Sequence, residues 1–113
     1  MEPIGHICAK NEWVEARAIG IYQAASQVLD GFIHCSKVTQ ILSVANKYFS
    51  NLNDLVLLWI DPDKLDAELR WEESDDDIFP HLYGSLNLDA VIGVSDFLPD
   101  PDGTFREVPS PIS

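Results

Sequence analysis

The sequence predicts a single α+β domain, and three observations carry that expectation. Short apolar runs bounded by turn residues recur from Ile4 to Leu98, which is how strands read. Two stretches with helical spacing fall between the early runs. The later runs follow one another without helices, so the regular alternation of a βαβ protein is missing.

Taken in order, "IGHIC" at residues 4–8 alternates loosely and reads as a first strand, weakened by Gly5. "KNEWVEARAI", Lys10 to Ile19, is rich in helix formers, and Gly20 is placed to stop it. "YQAASQVLD" has no clear period and reads as irregular. "GFIHC" reads as a strand, and Ser36 is expected to cap the helix that follows. In that helix Val38, Ile41, Leu42, Ala45 and Phe49 share one apolar face. The continuous apolar run "LVLLWI", residues 55–60, reads as a strand covered on both faces. Pro62 suits the first turn of a short helix.

"ELRWEE" is expected to be a strand with Leu69 and Trp71 on one face and Arg70 and Glu72 on the other. "EESDDD", residues 72–77, reads as a solvated acidic loop. "FPHLYG" is extended, because Pro80 disfavours helix for Phe79. "DAVIGVSDFL" is the last long strand. These elements place one domain at residues 1–98. Residues 99–113 form a Pro-rich tail in which Asp102-Gly103 turns a small hairpin before a frayed end.

With 113 residues and a hydrophobic fraction of 46%, the chain has enough for a core without a metal or disulfide staple. Cys8 and Cys35 are expected to stay reduced, and the absence of a leader or long apolar run points to the cytoplasm. Nineteen acidic residues against seven basic ones give a net charge of -12. That field repels nucleic acid and anionic membranes, so neither is expected as a partner. A small anion is still allowed where a local cluster overrides the global sign.

The chemistry concentrates where polar residues interrupt apolar runs. In "GFIHCSK" His34 points with Phe32 and Ser36, while Ile33 and Cys35 point the other way. A strand end, a histidine, a hydroxyl, first-turn amides and Lys37 together suit a phosphate or carboxylate. The alternative is a core histidine bonded to a carbonyl, with Ser36 only a cap. In "FPHLYG", His81 and Tyr83 lie on one strand face and offer rings with hydrogen-bonding tips. Glu72 follows Trp71 at the end of a patterned strand. An adjacent indole would desolvate the carboxylate and raise its pKa. His6, Cys8, His34, Cys35 and His81 include soft ligands but lack CxxC or HExxH spacing, so no metal is expected. No phosphate-binding glycine loop is present.

"GFIHCS", "LVLLWID", "LRWE", "FPHLYG" and "LDAV" occur in this order, and with them the chain resembles the bacterial domain-of-unknown-function family nine-five-two from about Ile4 to about Leu98. The resemblance implies a fold similar to the ADP-ribosyltransferases, with a mixed, split β-sheet, flanking helices and a cleft for NAD. It implies NAD as a substrate, with no resident cofactor. "FIHCS" also looks like a ribose-contacting segment of the RNA 2'-phosphotransferases, although the arginine set of those enzymes is absent, with Arg70 alone near the expected cleft. Carried over by residue, His34 and Ser36 would contact ribose, Tyr83 would stack on nicotinamide, and Glu72 would polarise a ribose hydroxyl. The catalytic candidates are therefore His34, Glu72 and His81, and the substrate-binding candidates are Ser36, Lys37, Arg70 and Tyr83. ADP-ribose transfer or hydrolysis is the expected activity, and a non-catalytic binding or interaction module is the alternative.

Overall fold

Gly5 should weaken the first strand, yet β1 runs Ile4–Ala9 without a break in the computed structural model, which describes residues 2–110. Packing explains the glycine. A Cβ at position 5 would stand 2.9 Å from Ile41 Cδ1 and 3.0 Å from Leu57 Cδ1. The missing side chain lets a helix lie close against the sheet.

After β1, α1 (Lys10–Ile19) starts with the Glu12 side chain accepting from the Ala9 amide and stops at Gly20 in the left-handed region. The next stretch differs from the irregular segment that its sequence suggests. It contains β2 (Ile21–Tyr22) and a short α2 (Ala25–Asp30) ended by Gly31 at φ 84°. A six-residue helix is too brief to show a period, and the glycine after it is its only strong local mark.

Ser36 does not cap a helix. The chain passes from β3 (Ile33–His34) to β4 (Ser36–Lys37), and β4 pairs with β1 so that Ser36 lies opposite Gly5. The ladder of β1 holds the backbone extended for one residue longer than a cap at Ser36 would allow. Lys37 takes the cap position instead, and its amide donates to Gln40 Oε1 at 2.9 Å. A 3-10 turn (Val38–Gln40) then leads into α3 (Ile41–Tyr48).

The remaining strands are β5 (Leu55–Ile60), β6 (Glu68–Ser74), β7 (Asp77–Tyr83), β8 (Leu86–Asn87) and β9 (Val91–Phe97). A single 3-10 turn at Pro62–Lys64 stands where the short helix is expected, and another at Leu88–Ala90 precedes β9. The acidic loop shrinks to the two-residue turn Asp75–Asp76, with φ 52° and 64°. Two consecutive left-handed residues suit the twist of a tight hairpin, and aspartate tolerates that region better than most residues.

Three sheets result, in the orders β4-β1-β5-β9, β2-β8 and β3-β7-β6. Every ladder among the described residues is antiparallel, so the sheet system is split but not mixed. All six residues of central β5 are buried. One face of the four-stranded sheet, with Ile4, Cys8, Val56 and Leu58, packs on Ile33 and Leu82 of the three-stranded sheet. Its other face packs on α3 through Ile41 and Ala45, and also buries Phe97 and Phe105. The C-terminal residues turn at Asp100–Thr104, where the Gly103 amide donates to the Asp100 carbonyl. The end of the chain, where fraying is expected, falls on residues 111–113, outside the described residues.

Candidate functional site

β3 is only two residues long, and its pairing with β7 sets the site. Ile33 lies opposite Leu82, and His34 lies opposite His81. Directly opposed residues share a face, so both imidazoles lie on one side of the sheet, His81 buried and His34 exposed, while Ile33 and Leu82 enter the hydrophobic core on the other. Their ring centroids are 5.5 Å apart at an interplanar angle of 80°. Phe32 stacks on His81 with centroids 4.1 Å apart, and also meets the His34 and Tyr83 rings.

Each histidine is tied to a carboxylate. His81 is buried, and its Nδ1 lies 3.0 Å from Glu72 Oε1. A carboxylate accepts, so Nδ1 carries the hydrogen of this bond. Glu72 reaches His81 diagonally, because β6 and β7 pair Arg70 with His81 and Glu72 with Phe79. The Tyr83 hydroxyl donates to the same Glu72 oxygen at 2.6 Å. His34 is half-exposed, and its Nε2 lies 2.9 Å from Asp30 Oδ2 at the end of α2.

Glu72 contradicts its expected pKa. Hydrogen bonds from Tyr83 and then His81 hold its carboxyl below the usual glutamate value. Trp71 cannot desolvate it, because adjacent strand residues face opposite sides.

A cavity of about 450 Å³ borders the histidine pair. It lies along β1 from His6 to Cys8, where β4 no longer covers the strand, because β4 pairs only with Ile4 and Gly5. His34, Ser36 and His81 line it, so three of the sequence-selected residues converge there. Glu72 and Tyr83 stand behind His81 and do not line the cavity. Arg70 lies over the Tyr83 ring at 4.2 Å and pairs with Glu68 at 3.0 Å. Lys37 is not brought to the cavity. A second hollow, of about 680 Å³, lies between α1 and β9 and contains none of the candidate residues.

Sequence reasoning missed much of the cavity's support. His6 Nδ1 donates to the His34 carbonyl at 2.5 Å, and the Tyr22 hydroxyl donates to His6 Nε2 at 2.8 Å. Burial lowers the His6 pKa, which keeps the ring neutral in this double role. The two bonds fix the backbone that carries His34. Cys8 and Cys35 are buried and unbridged, and burial pushes both thiols up to about 12. Neither is a thiolate nucleophile at neutral pH. Among the described residues no three His, Cys, Asp or Glu side chains are grouped to hold a metal. Phe32 and His6 stand within strand patterns that the sequence shows, but Asp30 and Tyr22 both come from a stretch with no clear period.

The model of the family described as "Protein of unknown function (DUF952)" matches residues 7–94. The chain belongs to this family. Solved relatives share the fold over nearly their whole length. The crystal structure of CC0527 from Caulobacter crescentus is 36% identical, with a TM-score of 0.85, and the match covers 92% of this chain and 93% of that one. Its solution NMR structure is also 36% identical, with a TM-score of 0.82 over 94% and 93%. No curated protein matches the chain. Among the described residues no helix is long and apolar enough to cross a membrane.

Proposed function

We propose that the cavity beside His34 and His81 is a nucleotide cleft of ADP-ribosyltransferase type, and that the protein binds NAD in the cytoplasm and transfers or hydrolyses its ADP-ribosyl unit. The observation that carries this reading is the cross-strand pair of carboxylate-anchored histidines at the edge of a cleft between two sheets. A split sheet with a cleft at its opening is also what the family resemblance implies.

In this reading the bond between C1' of the ribose and the nicotinamide nitrogen breaks, and its electron pair stays on that nitrogen. Neutral nicotinamide leaves, and positive charge develops on the ribose. His81 Nε2 takes the proton of the water or acceptor hydroxyl that attacks C1'. Glu72, ionised at neutral pH, offsets the imidazolium so formed and holds its tautomer. Glu72 is thus a positioning residue that works through His81. His34 and Ser36 remain ribose contacts on the cavity wall. Tyr83 supports Glu72 and does not stack, because Arg70 covers its ring and Glu72 engages its hydroxyl.

One observation favours a non-catalytic binding module as the second reading. Glu72 is already held by His81 and Tyr83 and does not line the cavity, so the carboxylate assigned to a ribose hydroxyl is not presented to one. Ligand-observed NMR with NAD, ADP-ribose and nicotinamide, combined with a nicotinamide-release assay, separates the two. Binding with release, both lost in His81→Ala, supports the enzyme. Binding without release supports the module. Absence of binding by all three compounds removes the nucleotide reading.

A further inference from the structure

We infer that the second hollow, between α1 and β9, is a docking groove for an extended peptide segment with an acidic residue, which adds to the outer edge of β9 as a fifth strand. This site is separate from the histidine cavity and stands or falls independently of the nucleotide reading.

The lining shows which side of the strand the hollow meets. Successive strand residues point to opposite faces, yet the consecutive Val94, Ser95 and Asp96 all border it. A hollow that touches three residues in a row meets the strand edge-on, where the backbone lies. β9 is the last strand of its sheet and pairs with β5 alone. Among the described residues no backbone hydrogen bond from outside the sheet reaches Val91–Phe97. Its outer amides and carbonyls therefore form a template for another chain. A blunted edge is short or charged along its length, as β4 is short at the opposite edge with two residues. β9 instead runs for seven residues with Asp96 as its one charge, and Ile92 on it is exposed.

The facing wall supplies the chemistry. Lys10, Trp13, Val14 and Arg17 follow the i, i+3, i+4, i+7 pattern and make one stripe of α1 along the hollow. Trp13 is half-buried and Val14 is exposed, so the middle of the stripe is an apolar seat. Lys10 stands 3.7 Å from Asp96 and offsets the one acidic residue of the lining. Arg17 has no ion pair among the described residues and is left as the net charge of the groove. The chain as a whole carries -12, but charges beyond about 8 Å are screened at physiological salt, so the local arginine decides the sign there. Strand addition draws affinity from backbone bonds and specificity from alternate side chains. An acidic side chain at Arg17 and an apolar one against Trp13 and Val14 meet both demands. A small carboxylate would reach the arginine and leave the edge unpaired.

The test is an NMR titration of the native protein with a capped pentapeptide alternating valine and glutamate. The lysine counterpart and two N-methylated versions, one for each set of alternate amides, are the comparisons. The glutamate peptide should shift the amides of Val94–Asp96 and the Trp13 indole in a saturable way. Only one set of its amides can face β9, so one methylated version should bind at least about tenfold weaker while the other keeps its affinity. Arg17→Glu alters an exposed side chain without an ion pair, so the fold is spared. It should weaken the glutamate peptide about tenfold at low salt and favour the lysine peptide. Equal binding by both methylated versions, or by the glutamate and lysine peptides, overturns the inference. So does the absence of a saturable shift, or a response confined to His34 and His81. Sedimentation of the protein alone covers the remaining occupant: a dimer that gives the same shifts without peptide assigns the edge to a second copy and overturns the acidic partner.

Discussion

Tyr83 sits two residues beyond His81 on the same strand face, and its hydroxyl reaches back over that imidazole to Glu72. This one bond leads the causes that hold the Glu72 carboxyl below the usual glutamate value, and His81 adds the next. The ionised form gains the bonds in the folded state only. Its contribution to stability is therefore present above the unfolded pKa and is lost as pH falls through the folded one. Replacing Tyr83 by Phe should move the Glu72 carboxyl back toward its ordinary value while leaving the His81 bond in place. Carboxyl carbon shifts followed by NMR from pH 7 to 2 give the answer, and an unchanged Glu72 midpoint would contradict it. The sequence revealed part of this arrangement. Strand alternation put Arg70 and Glu72 on one face, and His81 and Tyr83 on one face. Alternation does not reveal that the two strands are partners, and without that pairing the sequence sets Glu72 only against its neighbour Trp71, which predicts a raised pKa.

Elements were legible wherever a period had room to develop. The helix at Lys10–Ile19 and the buried strand at Leu55–Ile60 match their sequence patterns, because each spans six residues or more with a single environment along its length. The two-residue strands β2, β3, β4 and β8 carry no period, and only partner strands define them. Ser36 shows the consequence: local chemistry favoured a cap, and the edge of β1 claimed it for a ladder. Gly5 is the matching case on the partner strand. Its hydrogen atom leaves room for Ile41 and Leu57, both fully buried. Gly5→Ala should cost ~1 to 3 kcal/mol, because the two side chains must shift within a packed interior. A urea midpoint equal to that of the native protein would show that α3 can move away freely.

At the scale of the whole molecule, the segment after Leu98 carries none of the family motifs, and its composition reads as a tail. The described residues place Phe105 in the interior, 2% exposed, with its ring 4.7 Å from Phe97. Asn46 on α3 brackets the same residue. Its Nδ2 donates to the Phe105 carbonyl at 2.9 Å, and its Oδ1 accepts from the Phe105 amide at 2.7 Å. Arg106 then ties the turn together by pairing with Asp100 and Asp102, both at 2.7 Å. One aromatic residue and one amide bracket thus close the far side of the four-stranded sheet, on the face away from the histidine pair. A periodicity argument cannot find such an anchor, because a single buried ring in a polar segment has no period. Phe105→Ala removes a ring from a closed packing layer and should cost ~3 to 5 kcal/mol. Arg106→Ala, which breaks only exposed pairs, should cost less than about 1 kcal/mol. Chemical denaturation of the two variants ranks them directly. If Phe105→Ala proves no more damaging than Arg106→Ala, the segment is a dispensable tail and the sheet is closed without it.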